Sequence, residues 1–298
     1  MLDLLNRLGQ PQVASRPELS KQAFKGVQRE MLERIALLAE SIYEQKRSAL
    51  IVLEGWDAAG KGTTIRTLTA RLDARGYKVL ATQAPRTHEK QKPWLWRFWM
   101  NIPRYGQIAI FDRSWYGRVL VERVYGLTPV PEWIAAYEEI NQFERTLADD
   151  GTIILKFWLH ISKEEQLRRF VALAQQEATA WQVTAEDWEN HRRYDEFVAA
   201  VRDMLANTNT PCAPWAVIDA ASRQHCMYNV CRALIERLET SLGVEHSHWP
   251  APEELEAAAD IPQTKRPKER GDKREEKNKD SNQAKKKKKD KQVKQDKP

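Results

Sequence analysis

The stretch IVLEGWDAAGKGTT at positions 51–64 runs from an apolar strand pattern straight into a glycine-rich loop with a lysine, and from there into a helix. Few arrangements accept that order. The strand has to be buried on both faces, and the loop has to leave its carboxyl end where the following helix can begin. Gly55 and Gly60 are read as the positions where backbone must come close to an anion, with the N–H groups of Ala58, Ala59, Gly60 and Gly62 and the start of the helix directed at phosphate oxygens. Lys61 adds a mobile positive charge.

Gly55-x4-Gly60-Lys61 fits the Walker A spacing, but Gly62 stands where a Ser or Thr is usual. The hydroxyl that would ligate magnesium has two replacements nearby, Thr63 and Asp57. Asp57 is favoured because a carboxylate suits a hard cation.

The rest of the chain supplies the matching context. Short apolar strands are expected at 49–54, 77–82, 107–111, 152–160 and 215–219, with helical segments between them, including one at 61–75 closed by Gly76. The expected fold is α/β, a P-loop kinase-like parallel sheet sandwiched by helices, with its site at the carboxyl ends of the strands. Before the first strand, Phe24, Val27, Met31, Ile35, Leu38 and Ile42 recur at three- and four-residue steps and mark one face of a long helix. That face either covers the sheet or meets another copy of the chain. Between 163 and 207 the pattern is helical without a strand, with helices expected at 163–176 and 185–205. This region reads as a lid that excludes water from phosphates, or as a pair of packing helices.

The strand at 107–111 ends in Asp112, where a second magnesium ligand belongs, and Arg113, Arg118 and Arg123 follow, with Arg97 and Arg104 upstream. From Arg86 to Arg123 eight Lys+Arg stand against three Asp+Glu. Guanidinium forks match phosphate oxygens, and a field this concentrated suits an extended polyanion. Trp94, Trp96 and Trp99 are read as packing residues, and His246-x-His248 lacks partner ligands in sequence.

Charge divides the chain of 298 residues into a body, 1–260, and a tail, 261–298, which is expected to be disordered. The tail has sixteen Lys+Arg against seven Asp+Glu, so the overall +6 leaves the body at −3. It binds a polyanion or acts as a solubilising extension. The three cysteines, Cys212, Cys226 and Cys231, lack CxxC spacing and their odd number speaks against a secreted disulfide framework. A cytoplasmic protein is expected, with no signal peptide and no membrane span.

These residues together resemble the polyphosphate kinase 2 family, and most the carboxyl-terminal half of its two-domain polyphosphate:AMP phosphotransferases, over roughly residues 20–239. The resemblance is carried by EGWDAAGKG at 54–62, LWRFW at 95–99, FDRSWYGRVLVER at 111–123 and KFWLHISKEEQLRRF at 156–170. It implies transfer of a terminal phosphoryl group from inorganic polyphosphate to AMP or ADP with Mg2+, in an assembly of identical copies, with no specific nucleic acid and no membrane as partner. By position, Asp57 and Asp112 would hold the metal. Lys61 and Arg113 would stabilise the moving group, and Arg118 and Arg123 would grip phosphates. One departure stands out. The family carries an arginine and lysines in the lid, in a pattern like R-x5-K-x-W-K, where this chain has VALAQQEATAWQV at 171–183, with Trp181 kept and the basic residues gone. Arg168, Arg169, Arg192 and Arg193 are the candidates to compensate. The alternatives are a catalytically impaired polyphosphate-binding protein and an ATP-dependent small-molecule kinase.

Overall fold

The computed structural model describes residues 19–259, so the lysine-rich tail expected at 261–298 lies outside the described residues. Five parallel strands form one sheet in the order β2-β3-β1-β4-β5. They are β1 (Ser48–Gly55), β2 (Tyr77–Ala81), β3 (Ile108–Asp112), β4 (Thr152–His160) and β5 (Trp215–Asp219). β1 is central, flanked by β3 and β4. Its register sets Leu53 opposite Asp112 and Gly55 opposite Leu159, so the glycine-rich loop leaves the sheet beside the end of β3. The chain switches sides of the sheet there, and a crevice between strand ends is where α/β folds bind ligands.

Burial follows centrality. All nine residues of β4 and seven of the eight in β1 are buried, which is why both read as mainly apolar runs even though Glu54 and Lys156 are buried among them. Edge strand β2 has no fully buried residue.

Helix α1 (Lys21–Glu44) starts at Ser20, whose hydroxyl accepts the Ala23 N–H. Its apolar face, with Phe24, Val27, Met31, Ile35, Leu38 and Ile42 all buried, is covered within this chain. It packs chiefly on α10 (Arg223–Leu242), with only a minor contact to β1. The face therefore belongs to a helix pair more than to the sheet. Helix α2 (Lys61–Thr69) ends six residues before the expected Arg75. Asp73 accepts both the backbone N–H and the guanidinium of Arg75, a local turn that competes with helix.

Short α3 (Trp96–Trp99) packs on α5 (Val130–Asp149), with the Trp99 and Phe143 rings edge to face at 4.7 Å. A 3-10 turn (Trp115–Arg118) and α4 (Val121–Val124) fill the span after β3.

The region expected as a lid divides in two. The first part comprises α6 (Lys163–Ala174), α7 (Glu177–Ala180) and α8 (Ala185–Arg192). The second, α9 (Tyr194–Thr208), buries eight residues and belongs to the core. The single helix expected over 185–205 breaks at Arg193. Just beyond it, Tyr194 stacks on Trp56 at 4.0 Å and donates its hydroxyl to the Ile161 carbonyl at 2.8 Å, which fixes the direction in which α9 starts. The short α11 (Pro252–Ala259) closes the described chain.

Candidate active site

At the mouth of the loop after β1, Gly55 takes φ +149° and Gly60 φ +103°, both outside the range that side chains favour. The two glycines do different work. A Cβ on Gly55 would stand 2.6 Å from the Leu159 carbonyl oxygen, so this glycine lets β1 lie against β4. Around Gly60 there is open space, and its left-handed turn brings the chain into α2. Between them Ala58 also has a positive φ, +60°. The first-turn N–H groups of α2 face no carbonyl of their own helix, which makes them available to an anion.

Lys61 folds back over the loop. Its ammonium donates to the carbonyls of Gly55 at 2.8 Å and Trp56 at 3.0 Å and stands 4.0 Å from Asp57 Oδ1. Burial lowers its pKa against the pull of Asp57. Asp57 is itself nearly buried, 12 % exposed, and burial disfavours its charge. Lys61 and Arg113 outweigh that and hold the carboxyl below its usual range. Arg113 Nη2 donates to Asp57 Oδ1 at 2.6 Å. The arginine reaches it from a left-handed backbone, φ +59°, pinned by its N–H on the Leu53 carbonyl at 3.0 Å and by the next residue, Ser114, whose hydroxyl donates to Glu54 Oε1 at 2.8 Å. Glu54 is buried, and burial pushes its carboxyl up to about 7.

Asp57, Ala58, Ala59, Gly60, Lys61, Gly62 and Thr63 line one cavity of about 1140 Å³ together with Asp112 and Arg113. Eight Lys and Arg side chains line it against three Asp. Four of those cations carry no motif in the sequence, Lys21, Lys25, Arg66 and Arg223, and two more, Arg168 and Arg169, are among the candidates to compensate for the lid. Lys21 and Lys25 sit four residues apart at the start of α1, so helical spacing alone places them on one face. What sequence could not give is that this end of α1 meets the loop. Arg169 also lines the cavity, donating to the carbonyls of Ala58, Ala220 and Ala221. Arg192 and Arg193 are not among its lining residues. Both pair with Glu189, and Arg193 stacks on Tyr125 at 4.7 Å.

Arg118 and Arg123 are likewise absent from the lining. Arg118 donates to Glu122 at 2.7 Å and Thr128 at 2.8 Å and lies over Trp94. Arg123 donates to Asp203 at 2.7 Å and Tyr137 at 2.9 Å and lies over Trp133. The arginine field that sequence reads as one is thus split: Arg113 alone of it lines the cavity, and Arg118 and Arg123 are paired across α4, α5 and α9.

A divalent cation fits the residues present. The Asp57 carboxyl is kept ionised, the Asp112 carboxylate has no hydrogen-bond partner among the described residues, and Thr63 lines the same cavity. Two carboxylates are what Mg2+ takes from a protein when phosphates and water complete its shell.

A central parallel strand feeding this loop, with an aspartate at the end of the neighbouring strand, is the arrangement of a P-loop kinase. Residues 18–245 match the polyphosphate kinase 2 (PPK2) family, and the chain belongs to it. It is 41% identical over 223 residues to the polyphosphate:AMP phosphotransferase of Pseudomonas aeruginosa, covering 75% of this chain and 45% of that one. It is 37% identical over 225 residues to the AMP/ADP-polyphosphate phosphotransferase of Meiothermus ruber, covering 73% and 84%. The fold matches the crystal structure of polyphosphate kinase 2 from Arthrobacter aurescens TC1 with a TM-score of 0.72 at 28% identity, over 79% of this chain and 85% of that one. The chain spans about half the length of the polyphosphate:AMP phosphotransferases it matches. Among the described residues no helix is long and apolar enough to cross a membrane.

Proposed function

We propose that this chain transfers a terminal phosphoryl group from inorganic polyphosphate to a nucleotide, AMP in preference to ADP, with Mg2+ as the cation. The observation that carries this reading is the single cavity in which Lys61, Asp57, Asp112 and Arg113 share a wall with further Lys and Arg side chains. A cationic enclosure of that size suits a phosphate chain and an acceptor phosphate better than one small neutral substrate. The AMP preference rests on the names of the relatives that match over most of this chain.

Phosphoryl transfer asks the protein for in-line positioning and for neutralisation of charge on the equatorial oxygens. Loop N–H groups and the start of α2 would hold the phosphate on one side. Lys61 and Arg113 place two positive charges beside Asp57, where charge builds on the moving group. A divalent cation held by Asp57 and Asp112 would neutralise negative charge on the phosphate oxygens. Arg118 and Arg123 would grip phosphate only by exchanging Glu122, Glu132 and Asp203 for phosphate oxygens. A cytoplasmic location and assembly with identical copies belong to the same proposal.

The lid favours a second reading. The part of it that lines the cavity beyond Arg169 contributes Phe170, Ala172, Leu173, Gln182 and Asp187, with no cation. A transition-state arginine is worth ~10³–10⁵ in rate, so a polyphosphate binder with little turnover is the alternative. Purified protein mixed with Mg2+, long-chain polyphosphate and either AMP or ADP, without ATP, separates the two by chromatography of the nucleotides. ADP from AMP supports the proposal and ATP from ADP alone moves the acceptor. Polyphosphate bound without product establishes the binder.

A further inference from the structure

Asp57 is held from three directions, and two of them come from the lid. Its Oδ1 accepts Arg113 at 2.6 Å, and its Oδ2 accepts the side-chain amide of Asn190 at 2.9 Å. Its main-chain carbonyl accepts Gln166 Nε2 at 3.2 Å, and Gln166 Oε1 in turn accepts His191 Nδ1–H at 2.8 Å. Asn190 and His191 are consecutive on α8, a helix opened by a capping box between Thr184 and Asp187. The orientation of the Asn190 amide is fixed as well. The Tyr125 hydroxyl donates to Asn190 Oδ1 at 2.7 Å, which leaves the NH2 group to face Asp57. Burial raises the Tyr125 pKa, so the hydroxyl stays a donor throughout the neutral range.

A carboxylate tethered at one oxygen can still turn about the bond that carries it. A donor on the second oxygen fixes its plane, and an amide does this without cancelling the negative charge that a cation needs. We propose that Asn190, oriented by Tyr125, is a positioning residue that aims the Asp57 carboxylate at a divalent cation, so that the cation site is complete only with α8 docked on the loop. The proposal rests on the reading of Asp57 as a cation ligand. Coupling of this kind is reciprocal: if docked α8 raises the affinity for the cation, the bound cation holds α8 down by the same factor.

The test uses Mn2+, which prefers the same oxygen donors, on the full chain without nucleotide or polyphosphate, with free Mn2+ counted by electron paramagnetic resonance. Groups that orient a metal ligand typically contribute ~10–100-fold in metal affinity. Asn190→Ala is expected to weaken Mn2+ binding by about tenfold, and Tyr125→Phe, which keeps the amide but frees its orientation, by a smaller factor in the same direction. Mn2+ is expected to slow amide exchange across 185–192 in the wild type and not in Asn190→Ala. Should Asn190→Ala fail to fold, Tyr125→Phe carries the comparison. Affinity lost in Asp57→Asn but unchanged in Asn190→Ala and Tyr125→Phe overturns the positioning role alone. Affinity unchanged in Asp57→Asn overturns the cation reading, and the positioning role with it.

Discussion

Gly55 on β1 and Leu159 on β4 are in register, and a Cβ on Gly55 would meet the Leu159 backbone nitrogen at 2.9 Å as well as its carbonyl oxygen. The glycine that opens the phosphate loop is therefore required by the sheet. Gly55→Ala combines a collision with backbone and a φ of +149°, so a loss of at least ~2 kcal/mol is expected, read as a lower urea midpoint without ligand. Gly62 has open space around it, and Gly62→Ala is expected to leave the midpoint close to wild type.

Turnover is expected to separate the arginines. Arg113→Ala removes the cation that touches Asp57, and Lys61→Ala or Asp112→Asn removes its neighbours in the same cavity. Each is expected to lower kcat by ~10² or more if these groups stabilise the transition state. Arg123→Ala, which breaks a pair with Asp203 away from the cavity lining, is expected to change kcat by less than about tenfold. Equal losses in Arg113→Ala and Arg123→Ala would show that Arg123 swings into the site during the reaction.

The contrast between those arginines also marks where sequence stopped being informative. Apolar runs placed all five strands to within a residue or two, and the spacing Gly55-x4-Gly60-Lys61 together with Asp112 named the residues that meet at the strand ends. Local pattern holds that information, because a strand end and its loop are contiguous. The partners of Arg118 and Arg123 are not. Asp203 comes eighty residues after Arg123, and whether a cation faces phosphate or a carboxylate depends on that distant pairing. For the same reason the sequence does not mark Lys21, Lys25 and Arg223, which join the cavity because α1 and α10 both begin beside it. Asn190 carried no signal at all in a helix of ordinary polar composition.

Beside the 3-10 turn after β3 lies a buried ion pair. Lys156 Nζ meets Glu144 Oε2, the Tyr116 hydroxyl and the Thr208 carbonyl, each at 2.7 Å, with both charged side chains fully excluded from solvent. These bonds join β4, α5, the turn after β3 and the end of α9. Lys156→Met strands the Glu144 charge, and a loss of ~3–5 kcal/mol is expected. The double variant Lys156→Met, Glu144→Leu is expected to recover part of it, since removing both charges removes the need to solvate either. A double variant no more stable than Lys156→Met would show that the pair's hydrogen bonds, not its charge balance, hold these elements together.

Two buried groups are expected to tilt the pH dependence of stability in opposite directions. Burial lowers His160 from 6.5 to about 4, with Asp219 only partly opposing it, while Trp56 donates to its Nδ1. Below pH 6.5 the unfolded chain takes up a proton that the folded one refuses, so stability is lost as pH falls from 6.5 toward 4. Burial raises Glu54 from 4.5 to about 7 against the pull of Ser114, Lys61 and Arg113. Above pH 4.5 the unfolded chain releases a proton that the folded one keeps, so stability is lost as pH rises from 4.5 toward 7. Each slope approaches about 1.4 kcal/mol per pH unit where the two states differ by one proton, and between 4.5 and 6.5 they offset one another. Replacing one group exposes the other. Stability should rise with pH across that window in Glu54→Gln and fall with pH in His160→Gln, measured by urea unfolding at half-unit steps. Parallel slopes in the two variants would mean that one of these side chains changes protonation together with its surroundings, and that burial alone does not set its charge.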